Sequence, residues 1–587
     1  MFKQWKCALV VCLLGPLGWS QPADPQIMGD WEGTIANKLR VIARIERAED
    51  KSLKGMLEVP DQGNAKIKIE AVSFDGKRAI RLELKTIGAI YEGEMNAGAS
   101  EITGLWQQGG ARVPLILRRA GVAAAATLQA VTRGRVPLQP CLAAGDTQAL
   151  CGTYTVYENR ETRAGRTIAL NLMLLPADAQ PAAPDPVFAF AGGPGGSAAE
   201  AYPLATYTGL LRKQRDIVLI DQRGTGHSNP LQCGFDKNDL QVLMNRSYDV
   251  ESLSKCRAEL EKRADLTQYT TSISADDVDE VREALGYDKI DLLGGSYGSQ
   301  AALVYLRRHP AHVRSMVIEG VAPPDYRMPL PFAKTIQSAV QHLFADCAAD
   351  SGCHQDFPNL QAEFETVVSR LDQAPAKFEL PGPSGKPQEV TLSRGSFVSG
   401  LRPLLYQPGI VSQLPLILHR AYQNDWKPFA SVVLAMHSAI ADSVARGMAF
   451  SVSCAESFPF IGEADVRRET KGTYLGDFDV RSYQKSCRVW PHAVVSKDFL
   501  APVRSNVPSL LIAGAEDPAT PSWLAQHAAE NLSQSRVVSI PYGTHLTDAA
   551  CIDRIMVQFV NAGSPAGLDV ECVNQIRNPP FARLAGR

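Results

Sequence analysis

Gly294-Gly295-Ser296-Tyr297-Gly298 has the form G-x-S-x-G, and its flanks give the motif meaning. Lys289-Ile290-Asp291-Leu292-Leu293 reads as a buried strand, and Ser299 to Arg308 reads as a helix ending before Pro310. A serine on so sharp a strand-to-helix turn is lifted clear of the sheet, and the glycines let strand and helix approach closely. A serine hydroxyl is a weak nucleophile until a base takes its proton. Of the ten histidines, His545 follows the strand-like Val537 to Ile540 near the end of the chain and is the candidate base. His227, after an earlier strand, is the rival. A base of this kind needs a carboxylate to fix its tautomer and stabilise its charged form. Asp517, just beyond the apolar run Ser509 to Ala513, is the candidate acid, with adjacent Glu516 as the alternative.

Attack on a carbonyl builds negative charge on oxygen, which requires backbone N–H donors aimed at that point. The N–H of Tyr297, directly after the serine, is one candidate. The other lies in Ala191-Gly192-Gly193-Pro194-Gly195-Gly196, where Gly192 or Gly193 would donate and no side chain would obstruct the substrate.

These residues need a scaffold that holds loops at one end of a sheet. From about residue 137 onward, short apolar runs alternate with helical stretches, the rhythm of a parallel sheet built from βαβ units. Expected strands are Pro186 to Phe190, Asp216 to Ile220, Ile290 to Leu293, Arg314 to Ile318, Ser509 to Ala513 and Val537 to Ile540. The order Ser296, Asp517, His545 is the order of an α/β-hydrolase. The rhythm lapses between 323 and 495, which implies a mainly helical lid inserted into a core made of 137–322 and 496–587. Residues 121–136 read as a linker. Residues 27–120 read as a small all-β domain, because Lys66-Ile67-Lys68-Ile69-Glu70 and Ile80-Arg81-Leu82-Glu83-Leu84 alternate with the period of a half-buried strand. Asp61-Gln62-Gly63-Asn64 and Asp75-Gly76-Lys77 supply turn signals there. No titratable cluster marks that domain, so it reads as an accessory module.

The chain is 587 residues long, with a net charge of −2, 45% hydrophobic and 21% charged residues. That balance offers no basic face for nucleic acid. Lys3 and Lys6, the apolar run Cys7 to Leu14 and the small residues at Gly18-Trp19-Ser20 read as a signal peptide over 1–20, cleaved before Gln21. No later stretch is expected to span a membrane. Setting Cys7 and Cys12 aside leaves ten of the twelve cysteines. They fall into short sequential pairs: Cys141 with Cys151, Cys233 with Cys256, Cys347 with Cys353, Cys454 with Cys487, and Cys551 with Cys572. Five disulfides imply an oxidising compartment, so the protein is expected to be periplasmic or secreted. No pair has zinc-site spacing, and the chemistry above calls for neither metal nor cofactor.

Gly192-Gly193-Pro194-Gly195-Gly196, Asp221-Gln222-Arg223-Gly224-Thr225-Gly226-His227-Ser228, the Ser296 elbow and Asp517-Pro518-Ala519-Thr520-Pro521 occur in one order. Together they resemble the proline iminopeptidase and tripeptidyl aminopeptidase family of serine peptidases, from about Cys141 to the C-terminus. Export, paired cysteines and the long insertion are similar to the tripeptidyl branch. Ala191 stands where proline iminopeptidases usually carry histidine, a departure from strict proline specificity. The resemblance implies release of short peptides or amino acids from free peptide N-termini through an acyl-enzyme. Such an enzyme must hold the substrate's ammonium group, and Glu456, beside the cysteine at 454, is the candidate carboxylate. Asp221 and Arg223 are expected to brace their loop by ion pairing. Two other readings stand beside this one. The first is an esterase or amidase for a non-peptide small molecule using the same triad; the second is a binding protein on a retired hydrolase scaffold.

Overall fold

A computed structural model describes residues 27–584, apart from 36–38, 49–51, 63–64, 76–77, 97–98, 110, 120–127, 145–146, 204, 236–238, 246–248 and 383. The expected signal peptide, Cys7, Cys12, most of the turn signals at 61–64 and 75–77, and the first part of the expected linker lie outside the described residues. The chain divides into two compact units, one made of 1–106 with 115–122, the other of 107–114 with 123–587.

In the first unit nine strands between Gly29 and Arg119 form one sheet. The first strand, Gly29–Ile35, pairs with both the second, Leu39–Arg47, and the last, Ala111–Arg119. The two edge strands, Ala65–Ile69 and Ala71–Phe74, are separated in sequence by Glu70 alone. Edges joined by one residue require the sheet to curve until they meet. Alternation decides what fills the inside: Val41, Ala43 and Ile45 are buried from one strand, and Ile80, Leu82 and Leu84 from another. Trp31 and Tyr91 complete the interior, with the tyrosine hydroxyl donating to a carbonyl, Ile102 O or Leu115 O, each 3.1 Å away.

The second unit is built on a ten-stranded sheet. Its six parallel strands are Val187–Phe190, Ile217–Ile220, Ile290–Gly295, Val313–Glu319, Ser509–Gly514 and Ser535–Ile540. These are the runs expected from sequence, within two residues at either end. Each is short and apolar because both faces are covered. Phe188, Val218, Leu292 and Ile318 pack on one side, and Ala189, Leu219, Leu293 and Val317 on the other. Four further strands extend the sheet in antiparallel fashion: Val131–Arg133, Val136–Ala143, Thr147–Tyr157 and Thr167–Leu175. The first of these falls inside the stretch read as linker. Gly134, at φ +56°, makes the tight turn between the first two strands.

Between Phe332 and Val489 the chain is mainly helical, with one hairpin, Ala376–Pro381 and Pro387–Leu392. It encloses a core of its own around Phe364, Phe397, Trp426 and Phe429. The ten cysteines from 141 onward form five disulfides, in the sequential pairs named above. Among the described residues no helix is long and apolar enough to cross a membrane.

Candidate active site

The sheet ends its strand Ile290–Gly295 and starts the helix Tyr297–Arg308 with one residue between them, Ser296, at φ +56° and ψ −126°. A non-glycine residue held there is strained, and strain of this sort persists only where the surroundings over-determine it. The surroundings do so. Ser296 N donates to Glu319 O at 2.9 Å across the neighbouring strand. A Cβ on Gly294 would come 2.3 Å from Gly298 O, and one on Gly298 would come 2.0 Å from Phe190 O, so neither flanking position admits a side chain.

The glycine loop after Val187–Phe190 faces this serine. A Cβ on Gly192 would lie 3.4 Å from Ser296 Cβ and 3.9 Å from its Oγ, so the backbone at Gly192 runs beside the hydroxyl. Gly193 takes φ +122°, which an L side chain rarely adopts. The loop is pinned from two sides. Gly196 N donates to Gly192 O at 3.0 Å, and Ala445 N, from the insertion, donates to Gly195 O at 2.9 Å. Tyr297 opens its helix, where the first amides have no intrahelical acceptor.

His545 and Asp517 meet on the same end of the sheet. His545 Nδ1 lies 2.8 Å from Asp517 Oδ2. Asp517 is 2% exposed and His545 9% exposed. Burial alone would raise the Asp517 pKa. The charge and hydrogen bond of His545, with the amides of Thr520 and Ala519, outweigh burial and hold it below its ordinary value. An ionised carboxylate only accepts, so the proton between them sits on Nδ1, and Nε2 is the nitrogen outside that bond. Thr520 Oγ1 donates to Asp517 Oδ2 at 2.8 Å and lies 3.2 Å from His545 Nδ1. Leu546, next in sequence at φ +56°, covers the elbow: Cβ atoms on Gly295 and Gly320 would come 3.2 and 3.1 Å from its Cδ2. The same Cβ on Gly320 would lie 3.4 Å from His545 Cε1. The His545 loop therefore lies directly over the residues that flank Ser296.

Glu516 does not share in this. It accepts from Asn578 at 3.0 Å, and burial together with the charge of Asp346 raises its pKa. His227 is exposed on its loop. Asp221 is fully buried and makes no ion pair among the described residues. It accepts from Ser197 Oγ at 2.6 Å, Ala199 N, Asn171 Nδ2 and His227 N, tying the glycine loop to its own. Arg223 does form an ion pair, with Asp277 at 2.6 Å, and also donates to the carbonyls of Glu158 and Gln268. Asp221 thus braces through neutral donors, a correction to the ion pairing expected of both.

Glu456 is 1% exposed on the helix Arg446–Glu456, which the Cys454–Cys487 bridge ties to the helix Phe478–Val489. It accepts from Thr271 N at 2.6 Å and Thr271 Oγ1 at 2.7 Å, and that hydroxyl lies 2.7 Å from Tyr297 Oη. Burial pushes its pKa up to about 7.

Three residues at the site carry no signal in the reading above. Thr520 lies inside the quoted Asp517 motif, and its position three residues after an aspartate is that of a turn-closing hydroxyl. Glu319 ends its strand beside Ser296 with a buried Oε1 that has no hydrogen-bond partner among the described residues, and burial pushes its pKa up to about 8. Tyr406, from the insertion, stacks on His545 with ring centroids 4.4 Å apart. Elsewhere in the unit Asp279, His309 and His312 come together. Their atoms are already engaged: Asp279 Oδ1 takes Arg282 Nε and Tyr305 Oη at 2.8 Å and lies 2.7 Å from His312 Nδ1, while His309 Nε2 meets Asp276. With a guanidinium on the shared oxygen, this cluster is an ion-pair network that braces two helices.

A family model for the alpha/beta hydrolase fold matches residues 185–547. The serine protease Hip1 of Mycobacterium tuberculosis is 24% identical over 467 residues, covering 72% of this chain and 87% of that protein. The tripeptidyl aminopeptidase of Streptomyces lividans is 32% identical over 149 residues, 23% of this chain and 28% of that protein. Among solved structures, proline iminopeptidase from Mycobacterium smegmatis is similar with a TM-score of 0.32 at 15% identity, covering 70% of this chain and 98% of that one.

Proposed function

The chain belongs to the α/β-hydrolase fold family and is a serine hydrolase, and from that premise we propose that it is an exported exopeptidase releasing short peptides or amino acids from free N-termini. One observation carries the reading: a serine at φ +56° beside a glycine loop shares the end of the sheet with a histidine whose Nδ1 is held 2.8 Å from a buried aspartate.

In this reading Ser296 Oγ attacks the scissile carbonyl as His545 Nε2 takes its proton. The carbonyl oxygen gains the negative charge and is met by the N–H of Tyr297 and of Gly192 or Gly193. His545 then gives the proton to the leaving amine, the C–N bond breaks, and an acyl-enzyme remains on Ser296 for water to clear by the same route. Asp517 keeps the imidazole in its working tautomer and stabilises its charged form. Glu456 is the proposed ammonium anchor. It is a buried carboxylate with no cation paired to it among the described residues, and Thr271 fills two of its roughly four acceptor sites. A substrate ammonium would supply the missing charge. The names of the relatives support the peptidase reading, and the five disulfides support export.

Peptidyl-anilides with free and with blocked N-termini, assayed beside simple aryl esters, test the substrate class. Free-N-terminal peptides should be turned over far faster than blocked ones. Equal turnover removes the exopeptidase reading, and esters alone as substrates would leave an esterase. Glu456→Gln should raise KM for free peptides and leave that for aryl esters unchanged.

A further inference from the structure

The base is held by more than its carboxylate. Its hydrogen bond to Asp517 secures one edge of the imidazole and leaves the ring free to rock about that edge. Tyr406 lies between the insertion helices Arg394–Leu404 and Pro408–Val411, and its ring stacks on His545 at 4.4 Å with 29° between the planes. Tyr406 is itself fixed at both ends. Its carbonyl accepts from Thr544 Oγ1 at 2.8 Å, on the residue before His545, and its hydroxyl accepts from Arg402 Nη1 at 2.9 Å. The Arg402 guanidinium in turn lies 4.1 Å over the ring of Phe332, at the start of another insertion helix.

We infer that Tyr406 is a positioning residue for the base: the insertion supplies the aromatic face that holds the His545 ring in place and stabilises its charged form. This rests on the triad reading above. When Ser296 loses its proton to Nε2, the imidazole becomes a cation, and the electron-rich face of a neighbouring ring attracts a cation. The same ring keeps water off one side of the His545–Asp517 pair, where a drier setting strengthens their attraction. The insertion is then part of the catalytic machinery as well as a cover for it.

The test is the acylation rate of the full chain with an activated aryl acetate, a probe too small to depend on the rest of the insertion, together with labelling by a fluorophosphonate. Tyr406→Phe keeps the face and should stay within about threefold of the unaltered protein. Tyr406→Leu keeps apolar cover without the face, and should slow acylation and labelling about tenfold with KM unchanged. A merely structural role would be met by leucine as well as by phenylalanine. Leucine and phenylalanine variants that both react at the full rate would overturn the inference. If Tyr406→Leu does not fold, Tyr406→Met, also apolar and without the face, reads the same restraint. It should slow acylation about tenfold, and an unchanged rate would overturn the inference. His545→Ala serves as the reference: it should abolish labelling, and if labelling persists, the triad reading itself fails.

Discussion

Between Ile27 and Leu117 the described side chains that leave water are apolar or, like Tyr91, aromatic with a satisfied hydroxyl. The α/β unit takes Asp221, Arg223, Asp277, Glu456, Asp517 and His545 out of water as well. Burying a charge is costly unless it is paired or hydrogen-bonded, and apolar residues of similar size would serve stability at least as well. A region that keeps such groups is therefore held to a geometry for another purpose. Here Asp517 holds His545, Asp221 ties the glycine loop that faces the elbow, and Glu456 reaches the hydroxyl of Tyr297 only through Thr271. The disulfides divide the same way, all five lying in the α/β unit. One unit is packed for stability; the other holds strained and polar parts in place.

The largest expected effect tests the polar side of that contrast. Ser296→Ala should lower kcat by about 10⁶-fold and Asp517→Asn by about 10⁴-fold, as loss of a nucleophile and of the correct tautomer do in other serine hydrolases. Far-ultraviolet circular dichroism should be unchanged. A drop of only a few-fold would show that these buried groups are structural. Trp31→Ala tests the apolar side. It should destabilise the all-β unit by about 3–5 kcal/mol through the cavity it leaves, read by calorimetry, while kcat on an aryl ester holds. A parallel fall in kcat would break the contrast by giving that unit a part in catalysis.

Cys454→Ser with Cys487→Ser removes a bridge spanning 33 residues and should cost the α/β unit about 3 kcal/mol. The calorimetric transition of the all-β unit should stay where it is. The smallest effect, read per pH unit, concerns Glu319. Its pKa of about 8 stands above the ordinary carboxyl value, so the folded state keeps a proton that the unfolded state loses. Its contribution to stability is full below about pH 4.5 and declines as pH rises to about 8. Glu319→Gln should flatten the fall in unfolding free energy over that window, by no more than about 1.4 kcal/mol per pH unit. An unaltered slope would show that the carboxyl titrates in its ordinary range.

The parallel strands were legible because a strand covered on both faces leaves a short apolar run between turn signals, as at Ile217–Ile220 and Ser509–Gly514. The antiparallel extension was not. Val136–Ala143 contains Pro137 and Pro140, which weaken a strand reading, and Thr147–Tyr157 mixes buried and open positions along its length. At the site, Ser296, Asp517, His545 and the glycine loop sit in motifs whose local context signals a role. Tyr406 and the Thr271 partner of Glu456 do not. The tyrosine meets a base on a distant loop, and Thr271 lies 185 positions from the glutamate it holds. Their contacts arise only from the way the insertion folds back over the sheet.

Trapping the acyl-enzyme tests the central claim most directly. The full chain is mixed with a free-N-terminal peptidyl ester, quenched in acid within one turnover and digested for tandem mass spectrometry. The account predicts one adduct, of the mass of the peptidyl group, on Ser296, and none in Ser296→Ala. An adduct on another residue, or turnover with no adduct at any quench time, would contradict it.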